Sequence, residues 1–215
     1  MEPVLIFGSG GHAKVVSDVI EKAGEHQIVG IMVSKRGLED HFLGYRFYED
    51  DELEAIETRI GMVAIGDNWI RARVVENITA LFPDFRFVSA VHPSAQIGKS
   101  VSIGEGTVVM AGAVINSGTR IGRHCIINSK ASVDHDCCLM DFSSIAPGVT
   151  LGGNVRVGAY AAVSLGAAVL PGVSIGEHSV IGAGAVVFRD IPEKVVSFGA
   201  PSKVIRSREI GEKYL

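Results

Sequence analysis

The sequence predicts an α/β amino-terminal unit of half-Rossmann size, followed by an all-β parallel β-helix built on a six-residue repeat. Two observations predict this. From Val91 to Val187 an aliphatic residue returns every sixth position, seventeen times without a slip. A second series of small or β-branched residues runs four positions behind it, from Val101 through Cys125, Cys137 and Val149 to Ala185. Before residue 85 the rule differs: apolar runs alternate with helical stretches, as in a small parallel sheet with crossover helices.

The first element is the apolar run Val4-Leu5-Ile6-Phe7, which reads as a strand. Gly8-Ser9-Gly10-Gly11-His12-Ala13 follows as a loop, then a helix with Val15, Val16, Val19 and Ile20 on one side. Residues 28–33 read as a second strand, 49–57 as a helix, 62–65 as a third strand and 69–81 as a helix. Residues 85–90 form a last strand that leads into the coil. The expected division is 1–84 for the α/β unit, 85–192 for the β-helix and 193–215 for a carboxy-terminal cap.

A period of six fits neither a helix nor a simple alternating strand, but it fits a prism with three flat faces. Three hexads make one turn of eighteen residues, so 91–190 make between five and six turns stacked about 4.8 Å apart. The aliphatic residue fills the interior and the small residue fits beside it. Gly98, Gly104, Gly122, Gly152, Gly158, Gly176 and Gly182, which follow the aliphatic position, are expected to supply the turn conformations.

Composition narrows the function. A formal net charge of −4 offers no footprint for nucleic acid, so small-molecule partners are favoured. No apolar run reaches the length of a membrane span and no signal peptide is recognisable, which points to the cytoplasm. The three cysteines read as reduced packing residues.

Gly8, Gly10 and Ala13 satisfy the dinucleotide fingerprint, with a helix amino terminus to seat phosphate. The acidic residue expected after the second strand is absent, since Val33 is followed by Ser34-Lys35-Arg36. NAD is therefore disfavoured, the two cations admit a 2′-phosphate, and a nucleotide attached to a sugar suits one mononucleotide half better. Among the histidines, His26 and His41 read as surface residues, His92 as a corner residue before Pro93, and His124 and His178 as solvated outward positions. His135 is different, because it stands at an outward corner between Asp134 and Asp136. From these residues alone a base and a solvated corner both remain open.

The glycine loop Gly8-Ser9-Gly10-Gly11-His12 followed by a hexapeptide coil resembles the sialic acid O-acetyltransferase family, which includes the nucleotide-sugar 4-N-acetyltransferases of bacillosamine and perosamine pathways. Ala64-Ile65-Gly66-Asp67-Asn68, Val91-His92-Pro93-Ser94-Ala95, Val133-Asp134-His135-Asp136-Cys137 and Gly199-Ala200-Pro201-Ser202-Lys203 carry the same resemblance, which spans nearly the whole chain. It implies a left-handed coil, a homotrimer, and acetyl transfer from acetyl-CoA to a nucleotide-linked 4-amino-4,6-dideoxy sugar. His135 would be the general base and Asp136 its support. Gly10, Gly11, His12 and Gly66 would contact the nucleotide sugar, and Ser34 stands where bacillosamine-type members have an acidic residue. Ser144, Leu165 and Ala183 match the coenzyme-binding positions, with Ser144 replacing a histidine of those members. Lys203 and Arg206 are candidates for coenzyme phosphates. No metal is expected, since zinc coils need three converging imidazoles and His124 and His135 are not separated by a multiple of six. Two alternatives stand beside this reading: O-acetyl transfer to a sialic acid-type sugar, and a non-catalytic nucleotide-sugar scaffold.

Overall fold

A computed structural model describes residues 1–34 and 41–214; Lys35 and Arg36, candidate contacts for a 2′-phosphate, lie outside them, as does the side chain of His41. The chain begins with β1 (Glu2–Phe7), α1 (Gly11–Ala23) and β2 (His26–Val33). β3 (His41–Phe42) and β4 (Tyr45–Glu49) follow, then a 3-10 helix (Asp50–Ala55), β5 (Ile60–Val63), α2 (Asn68–Leu81) and β6 (Arg86–Phe87). Strand order is β3-β4-β2-β1-β5-β6, parallel except for the β3–β4 hairpin. β1 is central and its Val4, Leu5 and Ile6 are wholly buried, which is why that run carries no polar alternation. The helix expected over 49–57 is shorter and tighter than its sequence suggests. Glu49 ends a strand and at the same time caps the 3-10 turn through a reciprocal pair of hydrogen bonds with Glu52.

From Ala90 the chain winds into three parallel sheets whose register advances eighteen residues per turn. Face one starts at Ala90–Val91, face two at Gln96–Ile97 and face three at Ser102–Ile103. The aliphatic series fills the prism from Val109 to Val187, and every one of these side chains is almost completely buried. Polar members of the small series satisfy themselves between coils: Thr119 Oγ1 donates to the Asp134 carbonyl at 2.7 Å and Thr107 Oγ1 to that of Gly122 at 2.9 Å. Cys125 and Cys137 are buried in that series, and all three cysteines are free. At the carboxy terminus, Val195–Phe198 extends face one and Lys203–Ser207 returns antiparallel to it.

The glycines that follow the aliphatic positions do not make the turns. They permit close approach of the coils, since a Cβ on Gly158 would lie 2.6 Å from the Glu177 nitrogen of the next turn. Left-handed backbone falls two residues later, at Gly106, His124, Asp136, Phe142, Tyr160 and His178, with φ between 53° and 69°.

His124 and His178, expected to be solvated, are each only 4% exposed. They occupy one column of left-handed corners before face one, where His124, Phe142, Tyr160 and His178 stack at centroid spacings of 5.0, 5.3 and 4.5 Å. The edge of Phe87 closes one end and Trp69 of α2 packs against the other. The amino-terminal unit folds back over this edge of the coil, which a hexad pattern cannot foretell. His26 is also mostly covered, with a side chain 15% exposed.

Burial makes this ladder sensitive to acid. Desolvation, with Arg71 and Arg123 nearby, lowers the His124 pKa from 6.5 to about 4. The folded state therefore binds fewer protons than the unfolded chain between these values, so stability is full above pH 6.5 and is lost progressively as pH falls towards 4. The shift corresponds to at most about 3 kcal/mol. His124→Phe, which keeps the stacked ring, should flatten the decline in melting temperature between pH 6.5 and 4. A variant whose decline matched that of the parent protein would remove His124 from the account.

Candidate functional site

His135 stands on the corner after face two, two residues beyond Val133 at the end of a strand. Its side chain is 55% exposed. The left-handed backbone at Asp136, with φ of 58°, turns that carboxylate back onto its neighbour, and Asp136 Oδ2 lies 2.8 Å from His135 Nδ1. A carboxylate only accepts, so Nδ1 carries the proton and the Nε2 lone pair is left free. Asp134 fixes the other side: its Oδ1 accepts from the His135 backbone N–H and from Asn116 Nδ2, both at 2.9 Å. The hydrogen bond that Asp136 accepts and then the charge of Asp134 raise the His135 pKa above 6.5. One coil further, Gly153 lies under the ring. A Cβ there would fall 2.6 Å from both Cε1 and Nε2, so a side chain at this position would push the ring out of this placement.

Gly10 caps α1, Gly11 opens it and His12 follows inside the first turn. His12 is a neutral ring, because burial and then the charge of Arg71 lower its pKa to about 4, and its Nε2 is buried without a partner. The β1–α1 turn and the end of β2 border a cleft of about 660 Å³ whose other wall is α2. Ser34 lines it, along with Gly8, Ser9, Asp50 and Asn77. Gly66 lies beside the cleft, where its carbonyl accepts from Arg71 Nη1 at 3.2 Å.

Arg71 is 1% exposed and holds the α/β unit to the coil. Its Nε donates to the His124 carbonyl at 2.9 Å, Nη2 to the Phe142 carbonyl and to Asn68 Oδ1, and Nη1 to the Ile65 and Gly66 carbonyls. Asn68 completes the joint: its Nδ2 reaches Ser144 Oγ at 3.2 Å and the carbonyls of Tyr160 and Ala161. Tyr214 of the tail accepts from the Asn68 backbone N–H at 3.1 Å. Gly66-Asp67-Asn68 was visible as a motif in the sequence, with Asp67 the N-cap of α2 accepting from Ile70. Arg71, one turn later, carried no such signal.

The residues matched to coenzyme binding lie elsewhere. Ser144 is on face one beneath Asn68, while Leu165, 58% exposed, and Ala183 stack one coil apart on the corner that follows that face. Their corner and the His135 corner stand at opposite edges of face two. One copy of the chain therefore brings His135 together with Asp134 and Asp136, but not with Leu165 or Ala183. Arg206 is engaged by Glu212 at 2.5 Å. Among the described residues no group of three or more His, Cys, Asp or Glu could hold a metal ion, and no helix is long and apolar enough to cross a membrane.

Comparison with known proteins agrees with both halves. Residues 3–78 match the PglD N-terminal domain and 94–135 the bacterial transferase hexapeptide (six repeats). The crystal structure of PerB from Caulobacter crescentus, in complex with CoA and GDP-perosamine, superposes with a TM-score of 0.88 at 39% identity, covering 96% of this chain and 98% of that one. The chain belongs to the hexapeptide-repeat nucleotide-sugar N-acetyltransferase family. As in other members of this family, the coil is a left-handed parallel β-helix. The family's acetyltransferase domain of PglB from Neisseria gonorrhoeae, in complex with acetyl coenzyme A, also has a TM-score of 0.88, at 32% identity over 95% of this chain and 99% of that one. A curated family member, the UDP-N-acetylbacillosamine N-acetyltransferase of Bacillus subtilis, is 36% identical over 115 residues, 52% of each chain. The GDP-perosamine N-acetyltransferase of Escherichia coli O157:H7 is 32% identical over 64% of this chain and 53% of its own. The chain thus spans about half the length of these curated relatives.

Proposed function

We propose that the chain transfers an acetyl group from acetyl-CoA to the amine of a nucleotide-linked 4-amino-4,6-dideoxy sugar of perosamine or bacillosamine type. The observation that carries this is the His135–Asp136 pair, 2.8 Å apart on an open corner, in a chain that covers 98% of PerB. His135 Nε2 takes the proton as the amine nitrogen attacks the thioester carbonyl and the C–N bond forms. Asp136 holds the Nδ1 proton and stabilises the imidazolium. The proton then passes to the departing coenzyme thiolate as the C–S bond breaks.

In this proposal residues 1–84 bind the nucleotide sugar, 85–192 carry the transfer and 193–215 close the coil. Gly10 and Gly11 seat the phosphates at the amino terminus of α1, where Ser34, His12 and Gly66 border the remainder of the ligand. Ser144, Leu165 and Ala183 line the coenzyme. The protein works as a homotrimer, which is supported by the separation of the Leu165–Ala183 corner from the His135 corner within one copy: a second copy supplies the missing wall. The reaction is placed in the cytoplasm with its acetyl-CoA donor, and no metal takes part.

The test is release of free thiol from acetyl-CoA across a panel of UDP-, GDP- and dTDP-linked 4-amino sugars and their 4-hydroxy counterparts. Turnover is expected with an amino sugar and not with its hydroxy counterpart. Turnover confined to hydroxy sugars or sialic acid would establish O-acetyl transfer instead, and binding without turnover would establish a scaffold.

A further inference from the structure

The cleft beside the glycine loop has apolar walls of Met32, Leu53, Ile65, Ile70 and Val74, suited to the two faces of a flat base. Four polar side chains on its lining, Ser9, Ser34, Asp50 and Asn77, are exposed; Asp50 is the charged one among them, and neither it nor Asn77 makes a hydrogen bond or ion pair among the described residues. They approach from different elements, Asp50 from the start of the 3-10 helix and Asn77 from the middle of α2. Besides the hydroxyls of Ser9 and Ser34, the cleft thus offers one carboxylate with no partner of its own among the described residues and one amide to whatever lies between its walls.

We propose that Asp50 selects a guanine nucleotide by accepting N1–H and the N2 amino group of the base, with Asn77 donating to O6. This rests on the nucleotide-sugar reading above and names its base. A carboxylate can only accept, so it favours an edge with two adjacent donors, and guanine has one. Uracil and thymine present a single N3–H between two carbonyl oxygens, which a carboxylate repels. Adenine and cytosine place a ring acceptor beside their amino donor, and that acceptor would face an oxygen. Leaving such an acceptor opposite a carboxylate inside an apolar cleft loses affinity, and this is the basis of discrimination by a site built to accept.

Calorimetric titration of the full-length protein with GDP, UDP, dTDP and ADP tests the assignment. The wild-type protein is expected to bind GDP at least about tenfold more tightly than the others, equivalent to ~1.4 kcal/mol. Asp50→Asn should remove that preference. The same variant should gain affinity for xanthosine diphosphate, whose C2 carbonyl accepts from the new amide. A misfolded variant would show no such gain. Tighter binding of UDP or dTDP by the wild-type protein would overturn the base assignment and leave the nucleotide-sugar reading standing, as would a GDP preference undiminished in Asp50→Asn. Absence of binding by all four diphosphates would overturn both.

Discussion

Replacing Arg71 with Leu should uncouple the α/β unit from the coil and lower stability by on the order of 5 kcal/mol. The guanidinium is wholly buried and its donors serve five acceptors, the carbonyls of Ile65, Gly66, His124 and Phe142 and the side-chain oxygen of Asn68. Leucine fills part of the volume and leaves four of those oxygens without donors, at roughly 1 kcal/mol or more for each, and the Gly66 carbonyl with only a 3.5 Å bond from the Tyr214 hydroxyl. In a chain of this size that corresponds to a fall in melting temperature of roughly 10–20 °C. Arg71→Lys keeps the charge but has fewer donors in no fixed fork, so it should fall between the two. Calorimetry of the three proteins decides, and a leucine variant within about 1 kcal/mol of wild type would show that the joint rests on the ring ladder alone.

His135→Ala should lower kcat about a hundredfold or more while leaving nucleotide-sugar affinity nearly unchanged, because in the proposed mechanism the imidazole contributes proton transfer and little binding surface. Its position explains the asymmetry. The ring is half exposed on a corner of the coil, and among the described residues none that lines the cleft between β1, β2 and α2 hydrogen-bonds to it within one copy. Asp136→Asn should have a smaller effect on kcat, since the ring and its neighbours Asp134 and Gly153 remain. A His135→Ala protein with near-normal kcat would remove the base from the mechanism, and a large rise in acceptor Kd with kcat preserved would turn His135 into a binding residue.

The coil was almost fully legible because its period is enforced at every turn: each aliphatic residue meets the equivalent residues eighteen positions away, and a slip would expose the whole series. His135 was legible too, since its corner follows from the register and both carboxylates are its chain neighbours. What the register could not supply was the cover of the coil. His124 and His178 occupy corner positions equivalent to that of Asp136, yet α2 and the tail lie over their column and not over the corner of His135 and Asp136. That difference is set by contacts more than fifty residues apart, of which Arg71 to His124 is the plainest. The short 3-10 helix escaped for a local reason, because a β-strand and a capping turn share Glu49. Asp50 and Asn77 gave no signal at all, as neither lies in a motif and only the fold brings both to one cleft.

The most direct test of the general-base account is the pH dependence of kcat/KM in wild type and Asp136→Asn, which reports the essential base of the free enzyme. The account predicts that wild-type activity falls on the acid side through a pKa above 6.5, since the hydrogen bond to Asp136 and the charge of Asp134 both favour the protonated ring. With Asp136→Asn the acid limb should move to lower pH. Coincident acid limbs in the two proteins, or activity flat through the histidine range in wild type, would contradict it.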